Sequence, residues 1–412
     1  MDNSKYVYLC GPTVYNKVHI GNMRPIITFD LILRGLKYID NNTIFIHNIT
    51  DIDDKIINQA KLENVSENVI SEKYYMFYLD MLKEFNIKTI DIMPKVTEHI
   101  NDIDVFIKKI INLRFAYETN NSYYFDTSKL KNYGSVSNIK LDSLKENKAL
   151  EQINSFDFAL WKNKIDGQNW NISLGNGRPG WHTECAVFID KYTNGNSLEI
   201  HGGGIDLKFP HHENENAQYE VVNNKSITKS WLHTGTINVN HQKMSKSIGN
   251  IINADEFLKM YSDQTNAADL YRLLILTSGI SAAIEVNDNT LNPLIKKLNQ
   301  IEKIINHLIL NNIQLDIEKK MIDEIANDVS KYMFASICKK LNYHIKKFNE
   351  TKNVENGIIV YHIMKFLGFH VANKTIDMDL IKIYQNYREA LSKKDFKTSD
   401  ELRKKLIDFN LI

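Results

Sequence analysis

The start of the chain alternates short β-type runs with a helical one, and this order narrows the choice of folds more than any other feature. YVYLC, from residue 6, reads as a strand, ITFDLILRGLKYI has apolar residues at helical spacing, and TIFIHNIT reads as a second strand. A long amphipathic stretch from about Asp53 to Phe85 is predicted to be helical. Strands that alternate with helices in this way indicate a parallel α/β sheet.

A second series of the same kind begins near residue 180. There WHTECAVFIDKY is predicted as a helix, SLEIHGGG as a strand that runs into a glycine turn, and HHENENAQYEVVN as a further helix. The segment between the two series, about residues 97–160, is too long for a simple crossover and carries its own strand, SYYFD. The sequence therefore predicts a Rossmann-like parallel sheet in two halves, split by an insertion, with a binding crevice where the strand order switches.

The pattern changes after about residue 285. All prolines lie at or before Pro293, and apolar residues then recur at helical spacing in LIKKLNQIEKIINHLIL and IVYHIMKFLGF. This pattern predicts a separate all-helical C-terminal domain, which is expected to be a bundle. The predicted organisation is a first half of the α/β domain at 1–96, a connective insertion at 97–160, a second half at 161–238, a loop region at 239–285 and a helical domain at 286–412.

Composition excludes several classes of protein. With 43% hydrophobic and 25% charged residues, the 412-residue chain is predicted to be globular rather than disordered. Its apolar runs fall short of the ~20 residues that span a bilayer, and its N-terminus has no signal-peptide pattern. The 3 cysteines are too few and too scattered for a disulfide framework, so we expect a cytoplasmic protein with no membrane partner. The net charge of +1 argues against wholesale electrostatic binding to nucleic acid.

Two glycine-containing turns follow predicted strands and could bind phosphate or ribose. HIGN, residues 19–22, leads from the first strand into the first helix, where backbone N–H groups and a helix N-terminus are available to an anion. HGGGIDL, residues 201–207, permits close approach of a ligand to the backbone, and Asp206 could accept hydrogen bonds from a ribose. On sequence alone, an ordinary surface turn explains each motif equally well.

A third motif, KMSKS at residues 243–247, places two lysines and two serines in one loop. Such a loop can bind a triphosphate and stabilise the charge that develops on the phosphates. Lys243 and Lys246 are the candidate contacts. A solvated loop, common in a lysine-rich chain, is the equally weighted alternative.

A fourth set of residues has the donor chemistry of a zinc site. His211 and Glu215 follow a proline that is well placed to start a helix, and their i, i+4 spacing puts them on one face. Cys10 and Cys185 each lie at the edge of a predicted element of the α/β core. Two thiolates, an imidazole and a carboxylate would form a tetrahedral zinc site of mixed ligands.

The sequence leaves this metal site open to other interpretations. No CxxC pair is present to show that the ligands converge, and an inert buried cysteine is the commoner outcome at either position. His212 competes with its neighbour His211 as the imidazole ligand. Cys338 lies in an amphipathic stretch of the C-terminal region and is assigned to packing.

Together these motifs resemble the class I aminoacyl-tRNA synthetases, in which an HIGH-type motif stands near the N-terminus and KMSKS follows the second half-sheet. Within that class the chain is similar to the cysteinyl-tRNA synthetase family. The matching stretches run in the family's order and cover residues 6 to about 265 almost continuously: CGPTVYN, NITDIDDKI, FDFALWK, GRPGWHTECA, HGGGIDLKFPHHENENAQ and TGTINVNHQKMSKSIGN.

The resemblance implies a zinc ion and a cysteine pocket. The zinc ligands of the family fall on Cys10, Cys185, His211 and Glu215. The family uses this Zn²⁺, one per chain, to bind the thiolate of substrate cysteine rather than to activate water. Shape alone separates isosteric substrates by only about 10²-fold, so a partner for sulfur supplies the specificity against serine. The other expected contacts of the amino acid are Thr50, Trp181 and His201.

The resemblance also implies an ATP site and a reaction in two steps. The expected ATP contacts are His19, Asn22, Gly204, Asp206 and Lys246. The expected catalytic residues are His19, Lys243 and Lys246, with Mg²⁺ accompanying ATP. The cysteine carboxylate would attack the α-phosphate to give cysteinyl-adenylate and pyrophosphate, and the cysteinyl group would pass to tRNA(Cys). Residues 239–285 would contact the tRNA stem, and the helical domain would bind the tRNA and its anticodon.

Two departures from the family pattern bear on these expectations. Asn22 stands where the family motif ends in a second histidine, so this side chain can donate a hydrogen bond but carries no charge. The sequence stops at SDELRKKLIDFNLI, where relatives usually continue into a small segment that helps to read the anticodon. Anticodon contacts are therefore expected on the helical domain, although a solvated lysine face explains the same residues. The candidates are Lys393, Lys394, Lys397, Arg403, Lys404, Lys405, Tyr384 and Tyr387.

Two other functions fit part of the sequence. The ligase that joins cysteine to an amino-sugar glycoside in thiol biosynthesis has the same adenylation core, zinc site and approximate length, but the helical C-terminal domain fits a tRNA binder better. A catalytically silent protein could have kept the fold as a scaffold, but the intact His19, Lys243 and Lys246 argue against that. We therefore expect an active ligase, and we expect it to be a monomer.

Overall fold

The computed structural model describes residues 4–138, 152–164, 166–245, 248–409 and 411. Its strands are β1 (Lys5–Leu9), β2 (Thr43–His47), β3 (Ala116–Thr119), β4 (Ser122–Phe125), β5 (Phe158–Lys162), β6 (Trp170–Ile172), β7 (Gly175–Pro179), β8 (Ile200–Gly204), β9 (Trp231–Thr234), β10 (Ile237–Val239), β11 (Gln242–Lys243) and β12 (Ile284–Val286). Its α-helices are α1 (Ile20–Ile39), α2 (Asp54–Glu63), α3 (Glu67–Glu84), α4 (Ile100–Asn112), α5 (Thr183–Thr193), α6 (Glu213–Asn223), α7 (Ala254–Tyr261), α8 (Ala267–Leu276), α9 (Asp288–Leu310), α10 (Lys319–Ser330), α11 (Phe334–Thr351), α12 (Val354–Phe366), α13 (Met378–Ser392) and α14 (Phe396–Asp408). They form a parallel α/β core, an antiparallel sheet inserted into it and a helical region that follows, so the predicted fold class is confirmed.

The central sheet has the strand order β2-β1-β8-β9, and all its neighbours are parallel. β1 belongs to the first series and β8 to the second, so the strand order switches between them. Val7, Tyr8 and Leu9 of β1 are at most 1% exposed, because helices cover both faces of the sheet. The carboxyl ends of β1 and β8 therefore meet at one edge of the core.

The amphipathic stretch predicted as one helix forms two, α2 and α3. Asn64 ends α2 in the left-handed conformation, with a φ of 53°. Ser66 then precedes α3 in extended backbone. Asparagine enters the left-handed region more easily than most residues do, so the local sequence stops one helix before the next begins.

The segment between the two half-sheets forms an antiparallel sheet in the order β3-β4-β5-β7-β6. This sheet has strands on both sides of residue 160, the end predicted for the insertion, because β7 extends to Pro179. The buried carboxylate of Glu213, at the start of α6, accepts the backbone N–H groups of Gly134 and Ser137, each at 2.8 Å. These two bonds hold the inserted segment against the helix that contains Glu215.

The helical region packs directly on the α/β core. Gly35 of α1 faces α10 so closely that a Cβ at this position would lie 2.6 Å from the carbonyl oxygen of Ala326. Ile32 of α1 and Val329 of α10 belong to the same hydrophobic cluster. The core is thus continuous from α10 to α1, the helix that begins at the HIGN motif.

The last two helices, α13 and α14, surround a small cluster of their own that includes Tyr384 and Leu406. Tyr384 is only 6% exposed, and its hydroxyl accepts from Nδ2 of Asn311 at 3.2 Å. Its ring is therefore not available for base stacking, which contradicts the role predicted for it. Across the described ranges, no helix is both long enough and apolar enough to cross a membrane.

Candidate active site and metal centre

A cleft of about 410 Å³ opens at the carboxyl ends of β1 and β8. It connects the loop between β1 and α1, the glycine turn after β8, and the beginning of the KMSKS loop. The predicted site residues that line it are Cys10, His19, Asn22, Trp181, Gly204 and Asp206. The cleft thus lies at the strand-order switch, where open α/β sheets bind their ligands.

His19 and Asn22 bond to each other at the N-terminus of α1. Nδ1 of His19 accepts the N–H of Asn22 at 3.3 Å, and Oδ1 of Asn22 accepts the N–H of His19 at 3.2 Å. This capping box satisfies two backbone donors at the start of the helix. Gly21 lies against the KMSKS loop, since a Cβ there would lie 3.1 Å from Cε of Met244. The two signature motifs are therefore in contact at one end of the cleft.

The structure brings together Cys10, Cys185, His211 and Glu215. Their ligand atoms all lie within 4.8 Å of one another. Nε2 of His211 lies 2.7 Å from Oε1 of Glu215, and Sγ of Cys10 lies 3.3 Å from the same oxygen. Cys10 follows β1 and Cys185 lies in the first turn of α5. His211 lies in the short helical turn Lys208–His212 that precedes α6, and Glu215 lies in the first turn of α6. Elements that are distant in sequence thus converge on one buried point.

A second group overlaps the first and shares Cys10 and Glu215 with it. In this group Sγ of Cys10 lies 3.4 Å from Nε2 of both His201 and His212. Oε2 of Glu215 lies 3.1 Å from Nε2 of His201, yet in the described part of the chain this buried oxygen makes no hydrogen bond of normal geometry. Both His211 and His212 therefore remain candidate imidazole ligands in the structure, and the second group adds His201 as a further candidate.

The first group has the donor set that suits zinc. Two thiols, an imidazole and a carboxylate are ligand types of four-coordinate zinc, whereas the second group offers one thiol, two imidazoles and the same carboxylate. Soft sulfur ligands select zinc over hard cations such as Mg²⁺. The buried Oε2 of Glu215 also leaves an acceptor available for a cation. The residues present thus fit a zinc ion.

Burial and neighbouring charges set the electrostatics of this cluster. Burial opposes ionisation of Glu215, but His211 and His201 outweigh it and hold the pKa of the carboxyl well below its usual range. Burial likewise opposes protonation of His211, but Glu215 raises the pKa of that imidazole to about 10. Burial opposes ionisation of Cys185, but its hydrogen bonds with Cys10 and His211 lower the pKa of the thiol. An ionised carboxylate thus stabilises a positive charge beside an acidic thiol.

Aromatic rings pack on the histidines of both groups. Trp181 stacks on His211 with the ring centroids 4.3 Å apart. Trp231 stacks on His201 and His212, with centroids 4.6 and 5.1 Å away. Such contacts fix the orientation of the imidazoles.

Several predicted residues lie away from the surface of the cleft. Thr50 is buried, and its Oγ1–H donates to Oε2 of Glu184 at 2.7 Å. His201 is fully buried within β8. Lys243 ends the exposed strand β11, and Lys246 lies outside the described residues.

Sequence reasoning did not single out two residues that contact this site. Nδ1 of His182 lies 3.0 Å from Nδ1 of His211, and burial lowers the pKa of His182 to about 3. Glu184 holds the hydroxyl of Thr50, and burial raises the pKa of its carboxyl well above its usual range. Their position beside Cys185, in the stretch WHTEC, is the sequence feature that could have indicated them.

Comparison with known proteins agrees with this geometry. Residues 1–296 match the family model described as the tRNA synthetases class I (C) catalytic domain. The cysteine–tRNA ligase of Malacoplasma penetrans (strain HF-2) is 42% identical, with 98% of this chain and 95% of that protein covered. That of Mycoplasmopsis pulmonis (strain UAB CTIP) is 41% identical, with 98% of this chain and 65% of that protein covered.

A solved structure supports the fold alone. Mycobacterium tuberculosis methionyl-tRNA synthetase, in complex with methionyl-adenylate, matches with a TM-score of 0.61 at 11% identity, with 90% of each chain covered. Sequence relatives that cover nearly the whole chain and a family model that covers most of it lead to one conclusion. The chain belongs to the class I aminoacyl-tRNA synthetases, in the family of the cysteine–tRNA ligases.

Proposed function

We propose that this chain activates L-cysteine with ATP and transfers it to the 3′ end of tRNA(Cys). The observation that carries the proposal is a pair of thiols, the buried Cys185 and the half-buried Cys10, grouped with His211 and Glu215 beside a cleft that the HIGN and HGGGID turns border. The names of the sequence relatives support the same activity. A carboxylate oxygen of cysteine attacks the α-phosphorus of ATP and pyrophosphate leaves. A hydroxyl of the terminal ribose of the tRNA then attacks the carbonyl carbon, and AMP leaves.

The metal is proposed to be zinc, held by Cys10, Cys185, His211 and Glu215. A bound zinc ion supplies a soft Lewis acid for the substrate thiolate, and serine has no equivalent group. Trp181, which stacks on His211 and lines the cleft, is proposed to cover the bound amino acid. Thr50 and His201, both buried beside this cluster, are proposed to support the pocket through their contacts with Glu184 and Glu215.

The nucleotide is proposed to lie at the other end of the cleft. His19 and Asn22 stand at the positive end of α1, and Gly204 and Asp206 form the turn after β8. Lys243 and Lys246 are proposed to contact the phosphates, with Mg²⁺ accompanying ATP. The reaction needs little acid–base chemistry, so positioning and charge stabilisation dominate.

Cysteine-dependent exchange of pyrophosphate into ATP tests the proposal, followed by charging of tRNA(Cys). With zinc-loaded protein we expect exchange with cysteine to exceed exchange with serine by about 10⁴-fold, because a site built for one group rejects the analogue that lacks it. A chelator should suppress the exchange, and added zinc should restore it. Valine, which lacks the thiol, serves as a matched negative substrate.

The outcomes separate this function from its rivals. Exchange without charged tRNA would favour the cysteine:amino-sugar-glycoside ligase, which uses the same adenylation core. An absence of exchange by zinc-loaded protein would favour a catalytically silent scaffold. Either result would contradict the proposal.

Asn22 allows the ATP end of the cleft to be tested separately from helix stability. Asn22→Ala removes the acceptor of the His19 N–H, so we expect the free energy of unfolding to fall by about 1 kcal/mol. Asn22→Asp keeps an acceptor at the helix N-terminus and should retain that stability. Its negative charge should nevertheless raise the KM for ATP more than the alanine substitution does. Urea unfolding and the KM for ATP in the exchange assay measure the two effects.

Each half of this prediction can fail independently. If Asn22→Asp lowered the free energy of unfolding as much as Asn22→Ala does, the capping box would contribute little to stability. A KM for ATP that Asn22→Asp leaves unaltered would remove Asn22 from the nucleotide site.

A further inference from the structure

Lys55 is a cation of the cleft that the proposed adenylation does not use. It is the second residue of α2, and the carboxylate of Asp53 caps its backbone N–H at 2.8 Å. The preceding Asp54 forms ion pairs with Lys162 at 3.0 Å and with Arg178 at 2.8 Å. These contacts hold the first turn of α2 against the inserted sheet, so Lys55 projects into the cleft from a fixed base.

The ammonium group of Lys55 lies between two aromatic rings at the edge of the cleft. Its Nζ is 5.5 Å from the ring centroid of Tyr15 and 5.9 Å from that of Trp181, and both residues line the cleft. Lys17, which also lines the cleft, pairs with Asp255, whereas in the part of the chain that the structure describes no ion pair includes Lys55. The cleft therefore holds a positive charge that no protein carboxylate among the described residues neutralises.

The ring of Trp181 lies between this charge and the proposed metal ligands. Trp181 stacks on His211, so Lys55 is one aromatic ring removed from the proposed metal cluster and lies on the cysteine side of the cleft. The triphosphate is proposed to lie at the other end, beside His19 and Asp206. The substrate that must reach this side of the cleft from solvent is the tRNA, whose 3′ end has to approach the carbonyl carbon of the adenylate.

We infer that Lys55 and Tyr15 receive the single-stranded 3′ end of the tRNA, with the ammonium on a phosphodiester and the ring against a base. Sites for single-stranded nucleic acid combine cations, which follow the backbone, with aromatic rings, which stack on bases. An unneutralised lysine gains most from such a contact, because it displaces counterions from the RNA rather than breaking an internal ion pair. The inference rests on the proposed function and adds to it a contact that acts only in the transfer step.

Lys55→Met tests the inference, because methionine retains an unbranched apolar chain for the two rings but removes the charge. We expect the KM for tRNA in aminoacylation to rise about tenfold, the weight of one charge-assisted hydrogen bond. The slope of log affinity for tRNA against log salt should become shallower by about 0.7, as expected for one lost contact to single-stranded phosphate. Cysteine-dependent exchange without tRNA should stay within about twofold of the unaltered protein.

Two further variants complete the comparison. Lys55→Arg keeps the charge and should retain the KM for tRNA and the salt slope. Lys61→Met removes an exposed lysine on the same helix that is paired with Asp166 at 2.9 Å, and it should leave both assays unaltered.

The possible failures can be distinguished. An unaltered KM for tRNA in Lys55→Met would overturn the inference alone. A rise in the KM for cysteine in the exchange assay that matches the loss in charging would also overturn it, because Lys55 would then act on the amino acid. Failure of the unaltered protein to charge tRNA would overturn the proposed function, and the inference with it.

Discussion

Cys185→Ser is expected to abolish binding of the zinc ion that we propose for the first group, at one ion per chain. The substitution replaces one of the two sulfur ligands of the first group, because serine offers a hard oxygen of high pKa instead of a soft thiolate. Loss of a partner that only supports a ligand costs about 10- to 100-fold in metal affinity, so loss of a ligand itself should cost more than about 100-fold. Metal analysis after dialysis, together with competition against a chromophoric chelator, measures the effect without any assay of activity.

The matched control is His212→Asn, which belongs only to the second group. If the first group holds the metal, this variant should retain one zinc per chain, because Cys10, Cys185, His211 and Glu215 are all intact. His211→Gln should lose the metal as Cys185→Ser does. The opposite pattern, with zinc lost in His212→Asn and retained in Cys185→Ser, would assign the metal to the second group. Cysteine-over-serine selectivity in the exchange assay should fall in the same variants that lose zinc.

The first group of proposed metal ligands shows how much of the site could be predicted from the sequence. The i, i+4 spacing of His211 and Glu215 predicts their proximity, since both lie in one local segment, and the structure brings Nε2 and Oε1 within 2.7 Å. The convergence of Cys10 and Cys185 depends on the parallel pairing of β1 with β8, a contact between residues far apart in the chain. Periodicity cannot specify that pairing, and for this reason the sequence motifs alone left the site open.

The fold could be predicted to a similar depth. The alternation of strands and helices around β1 and β8 predicts the parallel sheet and its switch point, because both depend on local patterns. The break at Asn64 was not predicted, because one left-handed residue interrupts a periodicity that otherwise continues. The burial of Tyr384 was not predicted either, since the cluster that covers it comes from separate helices.

A buried ion pair joins α8 to the α/β core at Asp30, a fully buried residue of α1. Nη1 of Arg272, from α8, lies 2.7 Å from Oδ2 of Asp30. The same guanidinium donates to the carbonyl oxygens of Phe85 at 2.6 Å and Leu367 at 3.1 Å. Burial opposes ionisation of Asp30, but Arg272 and Arg34 outweigh it and lower the pKa of the carboxyl. One side chain thus connects α8 to α1 and to the ends of α3 and α12.

Arg272→Met is expected to lower the free energy of unfolding by about 3 to 5 kcal/mol, because it leaves a buried carboxylate with incomplete compensation. The carbonyl groups of Phe85 and Leu367 would lose their charged donor as well. Urea unfolding should show a lower midpoint with little change in slope. Because His19 caps α1 and α1 packs on α10, loss of this connection should weaken the contact between the active site and the helical region.

Two comparisons decide whether the loss of stability in Arg272→Met comes from the buried charge of Asp30 or from apolar packing. Arg34→Met removes the second partner of Asp30. It should cost less than Arg272→Met, because the side chain of Arg34 is 16% exposed and solvent screens its charge more than that of Arg272. The double variant Asp30→Asn with Arg272→Met should be more stable than the sum of its single variants predicts, since it contains no unpaired buried charge. Additive losses in that cycle, or a loss below about 1 kcal/mol in Arg272→Met, would contradict an electrostatic role for this pair and assign the junction to apolar packing between α1 and α10.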